Sequence, residues 1–167
     1  MRVNEVDLKR INAIDLSPII FKLVESDDGP QWSVHKALTI EKAYRVFLYL
    51  HLAFPNDEIV PTREVDEFWH QHILDSEKYF LDCQHTFGHY LHHFPYLGSR
   101  GQKDRKDLQS KFARTNALSQ KVFGQSLSSL SFDAMGSVCG SGCSGKCSDR
   151  STHRRPSPGF DYRAQYA

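Results

Sequence analysis

No stretch of this 167-residue chain approaches the ~20 consecutive apolar residues needed to cross a bilayer, so a transmembrane helix is excluded. The opening Met1-Arg2-Val3-Asn4-Glu5 has no apolar run behind a basic start, and no secretory leader is expected. Cysteine is scarce and badly placed for a disulfide framework. Cys83 stands alone in the body, and Cys139, Cys143 and Cys147 crowd together near the end, which points to a reducing, cytoplasmic setting. Alternating apolar–polar runs long enough for a sheet are missing, as is any internal repeat. Net charge is nearly absent too, with 21 Lys+Arg against 20 Asp+Glu. The balance hides an asymmetry: residues 1–99 carry 9 basic and 15 acidic groups, residues 100–167 carry 12 and 5. A basic excess spread so thinly disfavours nucleic acid as a partner, and Arg150, Arg154 and Arg155 have no aromatics interleaved.

What is present is apolar mass and histidine. Forty per cent hydrophobic and 12% aromatic residues suffice for a packed core. Of nine histidines, six (His70, His72, His85, His89, His92 and His93) fall within 24 residues. The patterning predicts an all-α fold, a compact bundle of about five helices over residues 3–123. Val6, Leu8, Ile11 and Ile14 mark a first short helix. Ser17-Pro18 opens a second, since proline suits the first helical turn. Thr39 is expected to cap a long helix to about Phe54, and Thr62 another to about Phe87, with Gly88 at its end. A last helix runs from about Asp104 to Phe123. Of the 36 residues from Gly124 to Gly159, 21 are Gly, Ser, Cys or Pro. The expected domain boundary therefore lies at 123/124, with a flexible basic tail over 124–167.

The chemistry concentrates on Val65–Leu74. On an unbroken helix His70 and His72 point about 160° apart, so the H-x-H pair cannot by itself chelate one ion. His72 belongs to an apolar face with Val65, Trp69, Tyr79, Phe80 and Cys83. Asp66 and His70, at i and i+4, converge instead on one point, the spacing that also lets two helical histidines share a zinc ion. On the preceding helix His51 faces inward with Tyr44 and Phe47, about a helical turn from Asp66–His70 if the two helices pack antiparallel. His93 or His89 can take its place if the chain folds back after Gly88. A two-histidine, one-carboxylate set suits zinc or non-haem iron(II) with open positions. The competing reading is a hydrogen-bonded Asp66–His70 pair and a satisfied core histidine.

Two thiol features stand apart. Cys83 lies ~16 Å along the helix from His72, too far to share an ion, and reads as a small buried hydrophobe. Cys139, Cys143 and Cys147 have C-x3-C-x3-C spacing among glycines, with Lys146 beside them to favour thiolate. They can converge on a soft ion.

Asp66, Trp69-His70-Gln71-His72, Leu74, Tyr79, Asp82-Cys83 and Gly88 together resemble the signature of the glycine-rich domain-containing protein-like family, most strongly over residues 62–95. The resemblance implies kinship with short bacterial proteins and with modules of longer plant and fungal chains. It implies no particular activity, and the long glycine-rich or RNA-binding extension of plant relatives is missing here. The resulting expectation is a metal-binding helical protein with Asp66, His70 and His72 at its centre and His51 or His93 in support. If it is an enzyme, a divalent ion (zinc or iron) would assist hydrolysis or oxidation of a small molecule or peptide, with Glu67 as general base. The alternatives are a non-catalytic interaction module and a thiol protein that handles metal through its tail.

Overall fold

A computed structural model describes residues 3–27 and 29–132. Among these the chain forms seven helices and no strand: α1 (Glu5–Asn12), α2 (Ser17–Glu25), α3 (Val34–Ala53), α4 (Arg63–Leu74), α5 (Ser76–Phe87), α6 (Gln102–Phe123) and α7 (Leu127–Phe132). The fold class is all-α as expected, with two more helices than the expected five. No helix among the described residues is long and apolar enough to cross a membrane.

The helix starts follow from side-chain caps. Asn4, Ser33 and Thr62 each accept a hydrogen bond from a backbone N–H in the first turn, those of Val6, Lys36 and Val65. Gly88 and Gly124 end α5 and α6 with φ of 74° and 76°, a conformation that costs a residue without Cβ little. The α3 cap is Ser33 and not Thr39, so this helix starts a turn and a half before its expected origin.

Helix α3 is the axis of the molecule. Ala37, Ile40, Ala43, Tyr44, Phe47, Leu48, Tyr49 and Leu50 are all buried, and α1, α2, α4, α6 and α7 pack around them. A helix apolar on nearly every side has to be surrounded. Its one buried acid, Glu41, is paired with Arg45 at 2.7 Å, and the same guanidinium caps the carbonyls of Ile11 and Ile14 at the end of α1.

Two expectations fail for physical reasons. The single helix from Thr62 to Phe87 is two, broken at Asp75 (φ −81°, ψ 70°). Asp75-Ser76 is a pair whose short polar side chains compete with the helical ladder. Phe80 is left on the surface, while Tyr79 and Cys83 stay buried on the face that His72 begins. The helical body also runs past Phe123. After Gly124 the chain turns back, Leu127 is fully buried, and Ser131 meets the Thr62 hydroxyl at 2.9 Å. A serine-rich composition concealed this helix because tertiary partners hold it: Leu127 and Leu130 pack on the core, and Ser128 donates to the Asn116 side chain. Cys139, Cys143 and Cys147 lie outside the described residues.

Candidate metal centre

Helix α4 sets the first half of the site. Its Thr62 cap and the burial of Val65, Phe68 and Trp69 against the core fix its rotation, which leaves Asp66 and His70 one turn apart on the outer edge. His70 Nδ1 lies 3.6 Å from Asp66 Oδ2, a loose approach in which both side chains keep substantial exposure.

The second half arrives on the segment after α5. Gly88 reverses the chain, and Tyr79 then pins it. The Tyr79 hydroxyl donates to the Leu91 carbonyl at 2.6 Å and accepts from the Trp69 indole N–H at 2.9 Å. One phenol thus couples α4, α5 and the returning strand of chain. Two residues beyond Leu91, His93 reaches Asp66, with Nε2 2.9 Å from Oδ1. Its ring stands edge-on to Trp69 at 4.7 Å and tilts over His70 at 4.5 Å between centroids. Asp66, His70 and His93 thereby offer one ligand atom each, all within 4.8 Å of one another. This is a possible metal-binding triad of two imidazoles and a carboxylate.

Farther along, Asp104 closes the loop. Its carboxylate accepts from the Arg100 guanidinium at 2.8 Å and from the backbone N–H groups of Arg100 (3.1 Å) and Gly98 (2.6 Å). These bonds, the guanidinium first, hold its carboxyl down to about 2.

Beside the triad opens a cavity of about 550 Å³, bordered by His51, Arg63, Asp66, Trp69, His93 and Leu108 among others. A second, more apolar hollow of about 450 Å³ shares Val60–Arg63 and Leu108 with it and is otherwise lined by residues such as Gln109 and Phe112, with no histidine. The chemistry therefore belongs to the first.

The other expected site residues are distributed around this centre. His51 borders the cavity but is not one of the three converging ligands. Its ring lies edge-on to Phe47 at 4.7 Å, and its Nε2 is buried with no hydrogen-bond partner among the described residues. Burial, with a smaller contribution from His89, pushes its pKa down to about 4, so the imidazole is neutral at pH 7.

His72 faces the core instead, as the helical phase requires. Its Nδ1 is 2.9 Å from the Tyr44 hydroxyl and its Nε2 2.9 Å from Asp82, whose carboxylate also takes the Lys78 ammonium at 2.8 Å. Burial pushes the Asp82 carboxyl up, but the bonds from His72 and Lys78 outweigh it and keep the group low. The His72 pKa is lowered, chiefly by burial. The network is consistent with a neutral His72 that donates from Nε2 to Asp82 and accepts the Tyr44 proton at Nδ1. Both nitrogens are thus committed, which removes His72 from the expected ligand set. Glu67 is half-buried, one position round the helix from Asp66, and does not border the cavity.

Sequence reasoning missed the Trp69–Tyr79–Leu91 brace and the part of Arg63 in the cavity wall. The brace ends on a backbone carbonyl, which leaves no signature in residue types, and Arg63 reads as an ordinary first-turn residue.

The profile of the UCP032817-like family matches residues 7–131, which reach from the middle of α1 to the last turn of α7. No curated protein and no solved structure matches the chain. The match corrects the resemblance drawn from the D-x-x-W-H-x-H pattern, because no glycine-rich domain family is found. Trp69, His72, Tyr79 and Cys83 of that pattern are buried packing positions, so it reports a helical core as much as a lineage. The chain belongs to the UCP032817-like family.

Proposed function

We propose that this protein binds a divalent transition-metal ion, zinc or iron(II), through Asp66, His70 and His93. The observation that carries the reading is the convergence of one carboxylate and two imidazoles within 4.8 Å at the edge of a cavity. Three neutral-or-anionic nitrogen and oxygen donors match the preference of first-row divalent ions and leave coordination positions open. When bound, such an ion supplies Lewis acidity, and as iron also one-electron chemistry. The chain's own part is positional. Tyr79 holds the His93 segment, Trp69 walls the ring of His93, and Asp66 accepts from the His93 Nε2, which draws that ring to the carboxylate.

The test is zinc titration calorimetry with elemental analysis on untagged, full-length protein. One equivalent is expected, with affinity cut about 10–100-fold or more by Asp66→Asn and by His93→Ala. Removal of residues 136–167 is expected to leave that stoichiometry intact. If His93→Ala lowers thermal stability while zinc binding is unchanged, the triad is a hydrogen-bonded brace and the metal reading fails.

A further inference from the structure

The cavity beside the triad carries a charge that its protein partners leave unanswered. Three cations border it. Arg100 is paired with Asp104 at 2.8 Å, and Lys111 with Glu58, another wall residue. Arg63 borders the cavity with no carboxylate partner among the described residues. The remaining wall carboxylates are Asp57, bonded to Arg114 at 3.0 Å, and Asp66, whose neighbour at 2.9 Å is the His93 imidazole. The wall's formal charges therefore balance at three against three, while Arg63 alone among its cations lacks an ion pair among the described residues. A divalent ion on Asp66, His70 and His93 would turn that balance positive, because one carboxylate cannot neutralise it. Arg63 and such an ion would share a concave site with apolar walls (Val60, Leu97, Leu108 and Trp69), which focuses the field on a ligand.

A polar atom is also unmet. His51 borders the same cavity, and its buried Nε2 has no hydrogen-bond partner among the described residues. A buried nitrogen without a partner is unfavourable, and a ligand atom there would relieve it. The volume, about 550 Å³, is that of a small-molecule site and not of a peptide groove.

We propose that this cavity binds a small organic acid, with its anionic group on the Arg63 guanidinium, its apolar body against Val60, Leu97 and Leu108, and a polar atom within reach of His51. The proposal rests on the metal reading for part of its positive charge; Arg63 supplies the rest. A carboxylate and a phosphate monoester share the required chemistry.

Three probes of similar shape decide the matter: 3-phenylpropionate, phenyl phosphate and the neutral 3-phenylpropanamide. Each is titrated calorimetrically into the full chain, metal-free and zinc-saturated. At least one acid is expected to bind one-to-one, more tightly with zinc present, and the amide about tenfold more weakly or not at all. Which acid binds better assigns the carboxylate or the phosphate source. Arg63→Gln should lower the acid's affinity about tenfold while Arg63→Lys retains most of it, and His51→Phe should lower it about threefold. Arg63 is exposed, so its variants are expected to fold, and an unchanged zinc isotherm in Arg63→Gln verifies that the centre is intact.

Failure of both acids, equal binding of the amide, or an affinity untouched by Arg63→Gln or by His51→Phe overturns the proposal. The two readings separate cleanly. Zinc binding without acid binding overturns this proposal alone, whereas Arg63-dependent acid binding without zinc binding upholds it and overturns the metal reading.

Discussion

Tyr79 is the side chain on which the geometry of the site depends most. It joins the Trp69 indole to the Leu91 carbonyl, and burial drives its own pKa far up, so the hydroxyl proton stays in place at any working pH. Tyr79→Phe leaves two buried polar groups without their partner and is expected to cost roughly 2–4 kcal/mol in urea unfolding. It should also weaken zinc binding, because the segment that delivers His93 is released; unchanged zinc affinity would show that the brace does not position the ligand. His51 makes a different prediction. Its folded pKa of about 4 lies below the usual 6.5, so the unfolded chain takes up protons first as the pH falls. The stability associated with a neutral His51 is complete above about pH 6.5 and is lost progressively towards pH 4, by about 3 kcal/mol in full. His72 and Asp82, also lowered, act in the same direction. Unfolding free energies at pH 7.5 and 4.5 should therefore differ less in His51→Leu than in the parent; an identical difference would mean that His51 does not titrate as its burial requires.

At the scale of elements, the periodicities of α1, α2 and α6 were legible, and so was the phase of α4. The i, i+4 placement of Asp66 and His70 needed only 3.6 residues per turn, and the same arithmetic sent His72 to the core, where Tyr44 and Asp82 meet it. The break at Asp75 was not legible, because a 26-residue apolar pattern from Thr62 to Phe87 reads continuously across a residue whose ψ alone departs from the helix. Nor was α7, whose hold on the body depends on tertiary partners. Leu127 is fully enclosed and Ser131 bonds to the cap residue of α4, so α7 supports the helix that carries Asp66 and His70. Leu127→Ala in the full chain is expected to cost roughly 2–4 kcal/mol. A melting temperature unchanged by that substitution would place α7 outside the cooperative unit.

Across the whole molecule, the site is assembled from a helix and a returning segment whose contact, Asp66 with His93, spans 27 positions. The sequence left His51, His89 and His93 as alternatives for the third ligand, and only the reversal at Gly88 and the Tyr79 brace distinguish them. The central claim, an ion held by Asp66, His70 and His93, is tested most directly by X-ray absorption on the zinc-loaded full-length protein. The account predicts a first shell of nitrogen and oxygen only, at about 2.0–2.2 Å, with the outer-shell scattering of two imidazoles that falls to one or vanishes in His93→Ala. A shell containing sulfur at about 2.3 Å, or a spectrum unaltered by His93→Ala, would contradict it.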